Sequence, residues 1–188
     1  GVYTQVQLAG NAFVEAVQID GRAGIAALFA LRPDSVRPVT DARGWVEAWA
    51  VRERRGERMI RREESGWSPV LHLKLFNPVD DVMGLPPLGA ARRALDLHNA
   101  SADWAKALID NSARNAAARE IALALGVPPM LLGIPGDNTY SNYREANLAF
   151  WRMTVLPLAE KTAAALSLWL DAPFGGDVDV RCDMDRVP

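Results

Sequence analysis

The chain changes from strand-like to helix-like patterning at one point, and this switch limits the folds it can adopt. Between residues 12 and 76, short apolar runs such as AFVEAVQI, GIAALFAL and SPVLHLKLF are separated by turn residues. After the Pro86-Pro87 pair, alanine- and leucine-rich segments repeat their apolar residues at helical spacing. Because strands come first and helices follow, the sequence predicts an α+β fold, with an antiparallel strand-rich region followed by long helices.

The strand-like region is predicted to form an antiparallel meander. Asp20-Gly21 ends the first run and is a strong hairpin signal. Pro33 and Pro38 restrict the next two runs to short or edge strands. If GWVEAWAVRER is extended, alternate residues share one face: Trp45, Glu47, Trp49 and Val51. A turn at Arg54-Arg55-Gly56 then lets ERMIRRE pair back.

Three helical segments are predicted next. In residues 86–110, apolar side chains recur at helical spacing: Leu88, Ala91, Leu95, Ala102, Ala105 and Leu108. The second segment, AAAREIALALG, ends at Gly126. The third begins near Asn142, which forms a capping-box pattern with Glu145, and is expected to kink at Pro157. The last residues, DVDVRCDMD, alternate in polarity and predict a short terminal strand.

A loop with unusual composition, GVPPMLLGIPGDNTYSN, separates the second helix from the third. Several of its residues break helices or shape turns: Gly126, Pro128, Pro129, Gly133, Pro135, Gly136 and Asn142. Pro135-Gly136 fits the centre of a type II turn. Between Gly133 and Asn142 the chain has no lysine or arginine and a single acid, Asp137.

Composition and charge argue against several classes of function. The 188 residues are 49% hydrophobic with a formal net charge of −2, which does not suit a general nucleic-acid-binding protein. No apolar run is long enough for a transmembrane helix. The single cysteine, Cys182, cannot form an internal disulfide, which fits a reducing cytosol. Gly1 is not an initiator methionine and no signal-peptide pattern follows, so we expect a trimmed piece of a longer protein.

Familiar catalytic motifs are also missing from the sequence. It contains neither GxxxxGK[ST] nor a GxGxxG after a strand. His72 and His98 stand without metal-ligand spacing or a nucleophile context, so we expect both to pack or lie at the surface. These patterns predict no catalytic residue, no metal ligand and no cofactor.

Two charged segments leave alternatives open. Four aspartates repeat at strand spacing near the end of the chain: Asp177, Asp179, Asp183 and Asp185. Such carboxylates could hold Mg²⁺ in a metal-dependent nucleic-acid enzyme, or they could be the solvated face of a terminal strand. The run RERRGERMIRREE could bind nucleic acid, but its interleaved glutamates favour a solvated hairpin or a subunit contact.

The string AREIALALGVPPMLLGIPGDNTYSNYREANLAFWRMTVLPL, residues 118–158, resembles the signature of HK97-family phage portal proteins. In that family a helix ends in a GVPP-LLG phrase, a TYSN phrase follows, and a long helix with a PL break comes next. Upstream, LAGNAFVE, LRPDSV, VLHLK, FNPVDDVMGLPPL and DWAKALIDNSA fall in the family's order. The resemblance covers nearly the whole chain, and its sequence motifs look most like those of portals of alphaproteobacterial prophages and gene transfer agents.

This resemblance implies a structural and mechanical protein rather than an enzyme. Portals form rings, usually dodecameric, at one capsid vertex, where they dock the terminase motor and then the head–tail adaptor. Double-stranded DNA is packaged and ejected through the central channel. The implied partners are therefore further copies of the chain, terminase, the adaptor, the major capsid protein and DNA contacted without sequence preference. The ring would assemble in the bacterial cytoplasm, contact no membrane and need no cofactor.

The same resemblance assigns regions and residues. It implies a wing-like α+β region at 1–80, a first stem helix at 81–114, the end of a second stem helix at 115–126, a tunnel loop at 127–141, a kinked helix toward the crown side at 142–171, and a terminal strand at 172–188. The loop residues expected to face DNA are Asp137, Asn138, Thr139, Tyr140 and Ser141. The residues expected at subunit interfaces are Arg54, Arg55, Trp104 and Trp151.

The composition of the loop agrees with a channel. Tight phosphate binding would stall DNA, because each added arginine contact strengthens binding and its salt dependence. A polar loop with little charge allows sliding contacts. The alternative is an ordinary helix–helix connection buried between subunits.

One departure from the family pattern concerns the clip, an inserted α/β segment between the two stem helices. Here residues 111–114 continue almost directly into 115–120, so the clip is missing. Either it is deleted, or two stretches are joined across a gap. The helical pattern resumes without a start signal, which favours the gap.

Overall fold

The computed structural model describes residues 1–18, 24–92, 94–96, 111–133 and 140–183. The chain divides into two compact units. Unit 1 contains Gly1–Pro86 and Ala164–Val180, and unit 2 contains Pro87–Ala163 and Arg181–Pro188.

Unit 1 opens with a short helix and continues with six strands. The apolar run at Val2–Ala9 followed by Gly10 predicts the end of a helix, and this is confirmed. Helix α1, Val2–Ala9, ends where Gly10 adopts a left-handed φ of 71° and its N–H donates to the Val6 carbonyl. A 3₁₀ turn at Pro33–Ser35 separates the second strand from the third. The strands are β1 (Asn11–Gln18), β2 (Ile25–Leu31), β3 (Val36–Thr40), β4 (Val46–Glu53), β5 (Gly56–Arg61) and β6 (Val70–Lys74).

The strands form two three-stranded antiparallel sheets, with orders β2-β1-β6 and β3-β4-β5. The α+β class is therefore confirmed, and β2 and β3 are edge strands as the sequence predicts. The simple meander is wrong, because β6 returns to β1, with Glu15 opposite Val70, rather than pairing with β5. The first six residues of β1 are buried, and a strand buried on both faces takes a central position with a partner at each edge.

The core of unit 1 lies between residues of both sheets: Phe13, Val36, Trp49, Val51, Ile60 and Val70. The four residues predicted to share one face differ in exposure: Trp49 and Val51 are buried, whereas Trp45 is 73% exposed and Glu47 is exposed. A register shift causes this difference, because Val39 lies opposite Ala48 whereas Thr40 lies opposite Val46. The extra residue of this β-bulge moves the segment before Ala48 out of phase.

His72 on β6 packs into this core, which confirms the structural expectation for that histidine; His98 lies outside the described residues. The His72 ring stacks on Phe13 with centroids 4.4 Å apart, and its Nε2 lies 2.9 Å from Asn11 Oδ1. An amide oxygen only accepts, so Nε2 carries the proton. Burial, and then the positive charge of Lys74, lower the pKa of His72 to about 4.

We expect His72 to make folding pH-dependent on the acid side. The unfolded histidine has a pKa near 6.5, so between about pH 6.5 and 4 the unfolded chain takes up a proton that the folded chain excludes. The stabilisation is complete above about pH 6.5, and about 3 kcal/mol is lost as the pH falls through 4. Urea titrations of wild type and His72→Gln across this range test it. The variant should lose less stability on acidification; equal losses would contradict the assignment.

Unit 2 is helical in its described part. Helix α2 covers Pro87–Ala90, and residue 92 and residues 94–96 are also helical. Helix α3, Asn111–Ala124, runs unbroken through residues 113–118, where the family's clip would be inserted. After a 3₁₀ turn at Pro129–Leu132 come helix α4, Tyr140–Phe150, and a π-helical turn at Trp151–Val155. Residues 93 and 97–110 of the predicted first stem helix, with Trp104, lie outside the described residues.

Helix α5, Leu156–Phe174, starts in unit 2 and ends in unit 1. Trp169 near its end is 8% exposed and packs with Val14 and Ala16 of β1. The predicted terminal strand is wrong for the described residues, since residues 177–183 form no strand. In that segment the Val180 N–H donates to Ser167 Oγ of α5 at 2.9 Å, so a helix rather than a strand lies beside it.

Candidate DNA-channel segment

The predicted tunnel loop is only partly described, and its last residues are helical. Residues 127–133 and 140–141 are described, whereas residues 134–139, with Pro135, Gly136, Asp137, Asn138 and Thr139, lie outside. Tyr140 and Ser141 form the first turn of α4. Asn142 therefore lies inside the helix rather than at its N-cap, contrary to the capping-box expectation. Several capping-type residues stand between 137 and 142, so composition alone could not identify the cap.

The entry to the loop is a Schellman-type helix end. Gly126 has a left-handed φ of 68°. Its N–H donates to the Leu123 carbonyl at 3.0 Å, and the Val127 N–H donates to the Ala122 carbonyl at 2.8 Å. These hydrogen bonds use carbonyls that the end of α3 would otherwise leave unpaired. The chain thus leaves the helix in a defined direction.

Two prolines and a glycine set the next turn. Pro128 precedes the 3₁₀ turn with φ −57°, and Pro129 occupies its first position. Gly133 ends the turn with a left-handed φ of 67°, and its N–H donates to the Met130 carbonyl at 3.2 Å. Proline presets φ and glycine permits the left-handed region, so these residue types suit these positions.

A side chain from the π-helical turn holds the start of the loop. Thr154 Oγ1 donates to the Gly126 carbonyl at 2.6 Å. A Cβ on Gly126 would lie 2.9 Å from the same Oγ1, so the backbone and the hydroxyl approach closely. Sequence reasoning missed Thr154, because a lone threonine within a helical pattern gives no signal.

The π-helical turn stands immediately before Pro157. The Leu156 N–H reaches back to the Trp151 carbonyl, one residue further than in an α-helix. Pro157 has no N–H to donate and its ring crowds the carbonyl of the residue four positions earlier, so a widened turn here relieves the conflict. The helix is therefore irregular just before Pro157, and this turn contains Thr154, which contacts Gly126. The kink expected at Pro157 stays a prediction.

The predicted interface residues are partly exposed. Arg54 and Arg55 form the exposed turn between β4 and β5, and Trp151 is half-buried. Unit 2 also exposes large apolar side chains: Leu123, Leu132, Tyr143 and Met153, at 65%, 56%, 50% and 79%. Such side chains are common at contacts between subunits.

Arg58 makes an ion pair that the sequence did not reveal. Its guanidinium donates to both carboxylate oxygens of Glu15, at 2.7 and 3.0 Å, and its Nε donates to Glu53 at 2.6 Å. Glu15 is nearly buried, and the pair joins β5 of one sheet to β1 of the other. These two carboxylates raise the pKa of Arg58 above its ordinary value. Arg58, one of the arginines of the run RERRGERMIRREE, therefore links the two sheets of unit 1.

The acidic C-terminal segment does not gather into a metal site where it is described. Across the described ranges, no group of three or more histidine, cysteine or carboxylate residues could hold a metal ion. This covers Asp177, Asp179 and Asp183, while Asp185 lies outside. None of the described helices has the length and apolar character needed to cross a membrane.

Comparison with known families identifies the chain. The family model described as phage portal protein matches residues 1–118 and 112–187. The chain belongs to this portal family. The two matched ranges overlap at residues 112–118, within α3, where the clip of the family would be inserted.

Two curated relatives are known only as uncharacterized proteins. One is from Rickettsia felis, with 32% identity over 205 residues, and the other is from Rickettsia bellii, with 31% identity over 205 residues. Each match covers 74% of this chain and 53% of the relative. The chain therefore spans about half the length of these relatives.

Solved structures with the same fold come from gene transfer agent particles. A chain in the virion of a native particle has a TM-score of 0.85 and 32% identity, covering 98% of this chain and 69% of that one. A chain in the neck of a native particle, computed with C12 symmetry, has a TM-score of 0.84, 34% identity and the same coverage. A metal-dependent nucleic-acid enzyme finds no support among these similarities.

Proposed function

We propose that the chain is a portal subunit of a gene transfer agent or related prophage particle. Further copies would complete a ring at one capsid vertex, and double-stranded DNA would be packaged and ejected through its channel. The observation that carries this proposal is the match of one family model along nearly the whole chain. The TM-score of 0.84 to a chain from a particle neck supports it.

A ring of twelve subunits is the assembly that we infer. The support is the C12 symmetry of the similar neck structure. The exposed apolar side chains of unit 2 would then be covered by neighbouring copies. Arg54, Arg55, Trp104 and Trp151 remain our candidates for these contacts.

The further partners follow from a position at the vertex. They would be terminase during packaging, the head–tail adaptor afterwards, the major capsid protein around the ring, and DNA without sequence preference. In this role the chain is not an enzyme, needs no cofactor and contacts no membrane. The ring would assemble in the bacterial cytoplasm and remain in the particle.

The loop between Gly133 and Tyr140 is our candidate for the channel constriction. It leaves a 3₁₀ turn that follows the Gly126–Thr154 contact and leads into α4, so both neighbouring segments are structured. Its single charge is that of Asp137. We infer that Asp137, Asn138, Thr139, Tyr140 and Ser141 line the channel, where a low charge density lets DNA slide.

Replacing Asp137 with arginine tests the channel assignment in particles made from the complete subunit. A ring would gain one phosphate-binding charge per copy, so we expect DNA movement to slow and gene transfer to fall at least about tenfold. DNase-protected DNA per particle measures packaging, and release of DNA from purified particles measures ejection.

Two controls separate this effect from a general change in charge. Asp137→Asn removes the acid without adding a cation and should remain close to wild type. Glu47→Arg makes the same charge reversal at an exposed position of unit 1 and should leave packaging unchanged. Normal packaging and ejection by Asp137→Arg particles would overturn the channel assignment.

A further inference from the structure

Strand β2 is an edge strand built only from apolar residues. It lies at the end of the order β2-β1-β6, so within the described residues one side of its backbone has no neighbouring strand in that sheet. Its sequence, IAALFAL, contains no charge and no proline. Leu28 and Phe29 nevertheless expose 45% and 55% of their surface.

The other sheet edges in the described structure are protected in the usual ways. Strand β3 carries Arg37 and Pro38, β6 ends in Lys74, and β5 contains charged residues on its short length. Charges and prolines on edge strands prevent pairing with other chains. Among these described edges, only β2 lacks both, so its sequence carries none of these protections against pairing with another chain.

The register shows which kind of partner fits. Phe29 lies opposite Glu15 and Leu28 lies opposite Ala16, so these exposed side chains project from opposite faces of the sheet. A helix laid on one face would cover only one of them. A strand added along the edge would flank both and would also pair the backbone groups.

We propose that β2 is the seam between adjacent subunits, where an extended segment of a second copy of this chain adds to the sheet. This inference rests on the proposed ring. In a cyclic assembly each subunit contacts the next head-to-tail, so one surface of every copy meets a different surface of its neighbour. Identical chains carry identical charges, and an uncharged edge lets them approach without repulsion.

Lysine substitutions on β2 test the seam in the complete subunit. Leu28→Lys and Phe29→Lys each place a charge on an already exposed position, so the fold should persist by circular dichroism. Native mass spectrometry and negative-stain microscopy should show the ring fraction falling at least about tenfold at equal protein concentration. Met59→Lys is the matched control, because Met59 is 40% exposed on the edge strand of the other sheet, and it should form rings like wild type.

Hydrogen exchange distinguishes strand addition from contact through side chains alone. Amides of β2 should exchange several-fold more slowly in the wild-type ring than in the Leu28→Lys subunit. The seam would be overturned if wild type and both lysine variants all formed rings, if hydrogen exchange at β2 were unchanged, or if Met59→Lys formed no rings. The proposed function would stand in each of these cases. A complete wild-type subunit that forms no ring would overturn the proposed function and the seam with it.

Discussion

Replacing Gly84 with alanine is expected to destabilise unit 1 by about 3 kcal/mol or more. A Cβ at this position would lie 2.2 Å from the Gly10 carbonyl oxygen and 2.8 Å from the Leu75 backbone nitrogen. Both are main-chain atoms, so no side chain can rotate to make room. The segment could move away only by breaking hydrogen bonds to buried Asn11, which accepts from the Gly84 N–H at 2.7 Å and donates to its carbonyl at 2.9 Å.

The control for this variant is Gly66→Ala. Gly66 has a left-handed φ of 85°, but a Cβ there would meet nothing within 4 Å. Its replacement should therefore cost only the backbone strain, about 1 kcal/mol. Urea titrations followed by circular dichroism at one protein concentration compare the two variants. If Gly84→Ala lost no more stability than Gly66→Ala, the close approach of the two backbone segments would not be the cause.

The Gly10-Asn11 pair illustrates what the sequence can and cannot predict. The helix end at Gly10 is a local event, and a glycine after an apolar run was enough to locate it. The function of Asn11 is not local, because its amide bonds to Ala9, His72 and Gly84. No periodicity relates positions 61 and 73 residues apart. The GNAF phrase was therefore recognisable by resemblance, while its physical reason required the fold.

The errors in the sheet region have a common origin. Alternation predicts which residues share a face only while the ladder is regular, and the β-bulge before Ala48 ends that regularity. Pairing of β6 with β1 instead of β5 depends on which strand is buried on both faces. The expected strand at Asp179 also failed, since alternation gives no strand without a neighbouring ladder. Local pattern thus predicted the strands of the sheets better than their partners.

In the candidate channel segment, the turn residues could be predicted from the sequence, but the contact that anchors the segment could not. Gly126, Pro128 and Gly133 stand where the chain turns, because glycine and proline act through their own backbone. The contact from Thr154 depends on the π-helical turn, which brings that hydroxyl to the Gly126 carbonyl. An apolar pattern with a period of 3.6 residues describes a regular α-helix, so it cannot indicate a π-helical turn.

Replacing Trp169 with alanine is expected to cost unit 1 about 3–5 kcal/mol. The indole stacks on Trp67 with ring centroids 5.8 Å apart. Both indoles also donate to backbone carbonyls: Trp169 Nε1 donates to the Ser68 carbonyl at 2.7 Å, and Trp67 Nε1 donates to the Trp169 carbonyl at 2.8 Å. Truncation would therefore empty a packed site and leave a carbonyl unpaired.

The loss should appear as faster hydrogen exchange of β1 amides, because β1 packs directly against this tryptophan. Trp45→Ala removes the same side chain from a position that is 73% exposed, and it should change stability by less than about 0.5 kcal/mol. Equal effects of the two substitutions would mean that the end of α5 does not stabilise the sheets. If the expected difference is found, Trp169 is a main contact between the C-terminal part of α5 and β1.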